Sequence, residues 1–331
     1  MTSASAHPAR SIMVLYTGGT IGMQASASGL APASGFEQRM RAQLASQNGF
    51  APWRFREMNP LIDSANMTPQ YWLQLRTAII EAIDDGCDAV LVLHGTDTLA
   101  YSAAAMSFQL LGLDAPVLFT GSMLPAGVDH SDAWENLGGA LQALSDGLSA
   151  GVQLYFHGEL LAPNRTAKVR SFGRHPFVTL TRNSTASTTV AVPASLEYRQ
   201  PKQPANVVVL PLVPGFSADL LRAVLATGAQ GLVLECFGSG TGPGDNPDFL
   251  NALDQARAAN VVVVAITQCH EGGVELDIYE AGSKLRQAGV LSGGGMTREA
   301  AFGKLQMLLG AGLPVAEVRR LVELDLAGEL R

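Results

Sequence analysis

The chain is short of several things that whole functional classes depend on. Only 15% of its 331 residues are charged, and its Lys and Arg are scattered under a formal net charge of −7. No basic stripe is available to neutralise a run of phosphates, which excludes nucleic acid as an expected partner. Cysteine is scarce: Cys87, Cys236 and Cys269 are odd in number, far apart and without CxxC spacing. That excludes a disulfide framework and a zinc site, and it fits a reducing compartment. Long hydrophobic runs are missing as well. The polar start MTSASAHPAR is followed by an apolar run of only Ile12 to Tyr16, too short for a signal-peptide core or a membrane span. The expected location is cytoplasmic, with no membrane partner. No short-period internal repeat is visible.

What is present points to a packed α/β protein. Hydrophobic residues make up 47% of the chain, and its length exceeds one ordinary core, which predicts two domains. Thirty-five glycines are spread along it, as suits many strand-to-helix turns. Near-continuous apolar runs at 11–16, 88–93, 115–120, 151–156, 206–211, 230–235 and 260–266 read as strands covered on both faces. Helical periodicity follows near 69–85, 98–112, 131–147, 217–227, 247–259 and 296–310. Start signals stand at Thr68-Pro69, Ser131-Asp132 and Thr297 with Glu299. Such alternation predicts a mostly parallel sheet with helices on both faces. The pattern pauses over 181–205, rich in Ser, Thr, Pro and Gln. The expected division is therefore an N-terminal domain over 1–190, a linker over 191–208 and a C-terminal α/β domain over 209–331.

In open parallel sheets, ligands sit outside the carboxyl ends of the strands. The first strand is followed by Thr17-Gly18-Gly19-Thr20-Ile21-Gly22. A Gly-Gly pair is either a tight turn or a point of close backbone approach. A phosphate loop does not fit, because the P-loop lysine is missing and GxGxxG is not matched. The next clear strand is followed by His94-Gly95-Thr96-Asp97-Thr98. There Asp97 reads either as a helix cap or as a functional carboxylate. His94 reads as a core histidine, since no HxH or HExxH partner is near it. After the fourth strand, Asn164-Arg165-Thr166-Ala167-Lys168 puts a cation in a loop. Each segment is weak alone, yet all fall at strand ends on one expected edge of the sheet. They would combine two threonine hydroxyls, a carboxylate and an amine. A threonine hydroxyl needs a base to become a nucleophile. Lys168 is a candidate for that base, although Asp97 favours its charged form. Backbone N–H groups near Gly19 and Gly95 could hold a developing oxyanion.

With these motifs in view, the sequence resembles the L-asparaginase family, in its bacterial cytoplasmic (type I) branch. The resemblance runs nearly end to end: YTGGTIGM, LIDSANMTP at 61–69, VLHGTDTLAY at 92–101 and TGSMLP at 120–125, then NRTAK at 164–168, FGSGTGP at 237–243, TQCHEGG at 267–273 and GGGMTREAAFGKL at 293–305, closing on DLAGEL. It implies a larger flavodoxin-like N-terminal domain, a smaller C-terminal α/β domain, and no cofactor or metal. It implies hydrolysis of L-asparagine to L-aspartate and ammonia through a covalent aspartyl ester on Thr20. Thr96, Asp97 and Lys168 match the family's proton-handling triplet. Asp63, Ser64 and Ala65 match the segment that holds the substrate's α-amino and α-carboxylate groups, beside Gly19, Gly95, Thr96 and Asp97. Homodimers or dimers of dimers are expected, with each site between the larger domain of one subunit and the smaller domain of its neighbour.

The chain also departs from the family. Leu30 stands where many relatives carry a tyrosine on the mobile loop after TGGTIG. Tyr279, in LDIYEAG, is the candidate to supply a phenol instead, from a neighbouring subunit; the other reading is an ordinary helix-face tyrosine. Thr241 replaces a common asparagine, and Ala167 lacks a hydroxyl seen in members that asparagine activates at a second site near Cys269. Three rivals remain: a glutaminase-asparaginase, an amidotransferase-like ammonia-releasing subunit and a non-catalytic amide-binding sensor. The amidotransferase subunit carries extra N-terminal sequence, for which a first strand starting at about residue 11 leaves no room.

Overall fold

The computed structural model describes residues 8–27, 29–47, 49–180 and 189–330. The chain divides into two compact units, the first ending at Thr179 and the second beginning at Leu180. Part of the Ser- and Thr-rich stretch 181–205, residues 181–188, lies outside the described residues, as do residues 1–7, Ser28, Asn48 and Arg331.

The first unit is built on the strands β1 (Ile12–Gly18), β2 (Gln24–Ser26), β3 (Gly29–Ala31), β4 (Trp53–Ile62), β5 (Ala89–Leu93), β6 (Pro116–Thr120), β7 (Gly151–Phe156), β8 (Glu159–Leu161), β9 (Thr166–Lys168) and β10 (Phe177–Thr179). Its long helices are α1 (Phe36–Leu44), α2 (Pro69–Asp84), α3 (Leu99–Gln109) and α4 (Ala133–Asp146). The main sheet runs β4-β1-β5-β6-β7-β8. Its first five strands pair in parallel, and β8 turns back antiparallel on β7. Counting only those parallel strands in chain order gives 2-1-3-4-5, the flavodoxin-like winding. Every residue of β1 and β5 is buried, because both faces are covered. Ile12, Val14 and Tyr16 share one core with α1 and α4. The alternate side chains face the opposite way, where α2 and α3 pack on each other and on the sheet.

The strand β4 is absent from the expected set. Its apolar Trp53 and Phe55 alternate with Arg54 and Arg56, as on an edge strand with one face to water. The anticipated helix starts are found. Thr68 accepts the Tyr71 N–H ahead of Pro69, and Thr297 accepts the Ala300 N–H. Asp132 precedes α4 but takes the N–H groups of Met123 and Leu124 instead of capping its own helix.

The second unit contains β11 (Val207–Pro211), α5 (Ala218–Ala226), β12 (Gly231–Cys236), α6 (Pro247–Ala258), β13 (Val262–Thr267), α7 (Glu280–Gln287), β14 (Leu291–Ser292), α8 (Arg298–Gly310) and α9 (Val315–Val322). Its four strands form a parallel sheet in the order β11-β12-β13-β14. Helices α5, α6 and α7 contribute to one core with the strands. The chain's last described turn is fastened from inside: Lys304 pairs with Glu329, both fully buried, and also donates to the carbonyls of Val322 and Leu324. Among the described residues no helix is long and apolar enough to cross a membrane.

Candidate active site

The winding reverses at β1, which has β4 on one side and β5 on the other. The loops leaving the carboxyl ends of these three strands therefore share one crevice, the usual ligand position in such sheets. They interlock at their glycines. Gly18 and Gly19 take φ of 109° and 77°, in the region that disfavours a side chain. A Cβ on Gly18 would overlap the Ile62 backbone, one on Gly19 the Gly95 backbone, and one on Gly95 the Ser64 side chain. The Gly19 N–H donates to the Ile62 carbonyl at 3.1 Å. Hence Thr20, the Asp63–Ala65 segment and the Gly95–Asp97 segment start from backbones in contact. Of the two readings of Gly-Gly, close backbone approach is the one observed.

Thr20 opens a 3₁₀ turn, Thr20–Gly22, and is half-buried. Thr17 has a different task, because its hydroxyl donates to the Leu93 carbonyl at 3.0 Å and ties β1 to β5. The Gly19 N–H is committed to the Ile62 carbonyl; of the N–H groups near Gly19 and Gly95, that of Thr20 opens a helical turn and has no partner within it.

At the end of β5, the α3 N-cap is Thr98 and not Asp97, so the cap reading of Asp97 is set aside. The Thr98 hydroxyl donates to the Ser64 carbonyl at 2.8 Å, joining this loop to the one after β4. Lys168, the last residue of β9, donates from Nζ to Thr96 Oγ1 at 2.9 Å and to Asp97 Oδ1 at 2.7 Å. The Thr96 residue is buried, the Lys168 side chain is 18% exposed and the Asp97 carboxylate 63% exposed. Lys168 was expected in a loop. It lies instead in a two-stranded ladder, paired with Phe177 of β10, which fixes the direction of its stem.

After β4, Asp63 caps the turn Ser64–Asn66 by accepting the Ala65 N–H at 3.1 Å. Ser64 is buried. His94 is fully buried and pairs through Nδ1 with the Gly95 carbonyl at 2.7 Å, while its Nε2 has no partner among the described residues. Burial pulls its pKa down to about 4, so the ring is neutral at pH 7.

The other candidates lie on other elements. Leu30 is exposed on β3 of the β2–β3 hairpin. Tyr279, at the N-cap of α7, belongs to the second unit and is 59% exposed. Thr241 closes a turn with Phe237, its hydroxyl donating to the Phe237 carbonyl at 3.2 Å. Cys269 is an exposed thiol, whereas Cys87 and Cys236 are buried ones. Arg39, which no motif marks, donates from Nη2 to the Gly22 carbonyl at 2.8 Å. Among the described residues no group of three or more His, Cys, Asp or Glu could hold a metal ion.

Comparison with known proteins agrees with this architecture. A family model described as "Asparaginase, N-terminal" matches residues 11–202. A second, "Glutaminase/Asparaginase C-terminal domain", matches 206–322. L-asparaginase 1 of Escherichia coli (strain K12) is 36% identical over 97% of this chain and 98% of its own length. The solved structure of L-asparaginase I from Vibrio cholerae superposes with a TM-score of 0.85 at 34% identity, covering 97% of this chain and 99% of that one. The thermostable L-asparaginase from Thermococcus kodakarensis gives a TM-score of 0.83 at 33% identity, with the same coverage.

Proposed function

The chain belongs to the asparaginase family, and from that premise we propose that it hydrolyses L-asparagine to L-aspartate and ammonia through an ester on Thr20. The observation that carries this reading is the Lys168 ammonium bridging Thr96 and Asp97, on a loop whose Gly95 touches Gly19 next to Thr20.

In the first half-reaction, Thr20 Oγ1 adds to the side-chain amide carbon. The negative charge that develops on the carbonyl oxygen is met by the Thr20 and Gly95 N–H groups. The hydroxyl proton passes to the leaving nitrogen, the C–N bond breaks, and ammonia departs. In the second half-reaction water adds to the ester carbon, the C–Oγ1 bond breaks, and Thr20 regains its proton as aspartate leaves. Thr96, bonded to Lys168, orients the water and passes its proton, and Asp97 holds Lys168 in place.

Substrate recognition falls to Asp63, Ser64 and Ala65 with Asp97. The exposed Asp97 carboxylate meets the α-ammonium, and the Ser64 region meets the α-carboxylate. Paired charges of this kind hold the two α-groups and so orient the side-chain amide towards Thr20. Tyr279, exposed in the second unit, is the proposed phenol at the site of a neighbouring subunit in a dimer or dimer of dimers. Three cysteines, odd in number and far apart in the sequence, support a reducing, cytoplasmic setting.

The test is ammonia release from L-asparagine and L-glutamine across concentration, with wild type and Thr20→Ala. Turnover of asparagine by wild type and its loss in Thr20→Ala are expected. No release from either amide by the wild type rejects the enzyme reading.

A further inference from the structure

We propose that Arg39 is a positioning residue that holds the turn carrying Thr20, an inference that rests on the reading of Thr20 as nucleophile. A single 3₁₀ turn has poor hydrogen-bond geometry and does not persist by itself. Its place must be set from outside, and its three carbonyls show how. Thr20 O accepts the Met23 N–H and Ile21 O accepts the Ala126 N–H, both at 3.1 Å. Gly22 O accepts Arg39 Nη2 at 2.8 Å. The third bond differs in kind: its donor is charged, on a side chain of α1, and charge-assisted bonds are both shorter and stronger.

Arg39 is itself held. Its guanidinium lies 4.9 Å from the centroid of the Phe36 ring, and Phe36 stacks on Tyr16 and on Trp134. This platform limits the rotamers open to the arginine and screens its bond to Gly22 from water. The Tyr16 hydroxyl packs so closely on Gly22 that a Cβ there would overlap it, and the same hydroxyl donates to Ala33 O at 3.4 Å. Glu57 accepts the Gly35 N–H at 2.8 Å. The segment between Gly22 and Gly35, which contains the exposed β2–β3 hairpin, is thus pinned at both roots.

Precision at this point matters because a nucleophile displaced by about 1 Å costs on the order of 10²-fold in rate. Substrate binding is assigned to the loops after β4 and β5, which Arg39 does not touch in any bond above. Its loss should therefore lower kcat and leave KM nearly unchanged. A residue that only stabilised the fold would lower kcat no further than the fraction unfolded at the assay temperature, which the thermal melt reads independently.

The experiment measures kcat and KM for L-asparagine, with thermal unfolding, in wild type, Arg39→Met, Arg39→Lys, Arg39→Gln and Thr20→Ala. In Arg39→Met, kcat is expected to fall roughly 30- to 100-fold with KM within about threefold. Arg39→Lys, which keeps a charged donor, should recover at least about tenfold of that loss, and Arg39→Gln should fall between the two. A kcat for Arg39→Met within threefold of wild type, or a loss expressed mainly in KM, overturns the proposal. So does equal kcat for the Lys and Gln variants, which decides the matter even if the Met variant does not fold. Full turnover by Thr20→Ala would instead reject the nucleophile reading and leave the structural grip of Arg39 standing.

Discussion

Replacing Lys168 by methionine keeps most of the side-chain stem and deletes two hydrogen bonds, to Thr96 Oγ1 at 2.9 Å and to Asp97 Oδ1 at 2.7 Å. The cost in stability is small. Asp97 is 63% exposed, so water replaces the ammonium there, and an ion pair of this exposure contributes about 0–1 kcal/mol. The lost bond to Thr96 adds about 1 kcal/mol. A total of about 1–2 kcal/mol lowers Tm by roughly 3–6 °C for a domain of this size. The cost in rate is larger, because a positioned proton-transfer group contributes about 10²–10⁴-fold, or about 3–5 kcal/mol of barrier. Ammonia release at saturating asparagine, set beside a thermal melt, separates the two effects. The Lys168→Arg variant sharpens the result. Its guanidinium can still hold Asp97 but does not give up a proton, so KM should stay near wild type while kcat falls by about 10² or more. If Lys168→Met kept more than one tenth of wild-type kcat, the proton-handling role would be refuted, however intact the fold.

Three further outcomes follow from other groups. Folded His94 has a pKa of about 4 against about 6.5 unfolded. Between these values the unfolded state binds more protons, so stability is full above about pH 6.5 and falls by about 3 kcal/mol as pH drops through 4. Urea unfolding at pH 7 and pH 4.5 should show this slope, and His94→Asn should flatten it; equal slopes would refute the assignment. Lys304→Met strands the buried Glu329 carboxylate and should destabilise the second unit by about 3–5 kcal/mol, with Lys304→Met/Glu329→Gln recovering part of it. A calorimetric loss below about 1 kcal/mol in the single variant would contradict a buried charge pair. Tyr279→Phe removes the phenol assigned to a neighbouring site, and kcat should fall by about tenfold or more; near-full turnover would make Tyr279 an ordinary surface residue.

Much of the framework is legible because burial on both faces writes itself into composition. The runs that became β1, β5, β6, β12 and β13 are almost unbroken apolar stretches, and their shortness marks them as strands covered on both faces where a buried helix would run longer. The helices missed are short or charged: α1, α7 and α9 span nine, eight and eight residues, barely two turns of periodicity each. The most consequential omission is β4. It is an edge strand, with Arg56 paired to Glu81 on its wet side and Pro60 near its end. Without β4 the winding order is incomplete, and Asp63–Ala65 can be placed at the site only through the family resemblance. The alternation of Trp53 and Phe55 with Arg54 and Arg56 is the signal that would have found it.

The glycines show where local reading stops. Gly19 has a φ of 77°, so a turn preference alone would account for it. Gly95 has no such angle; what excludes a side chain there is the Ser64 side chain and the Gly19 Cα across the crevice. A sequence states that a residue has no Cβ, but it does not state which distant backbone occupies the space. Arg39 is the same case from the donor's side. Its partner is a main-chain carbonyl, and a carbonyl is present at every position, so no residue type in the Thr20 turn marks the arginine that grips it. Motifs therefore reveal the groups that react more readily than the groups that aim them, and the aiming contacts are the ones that required three-dimensional placement to be seen.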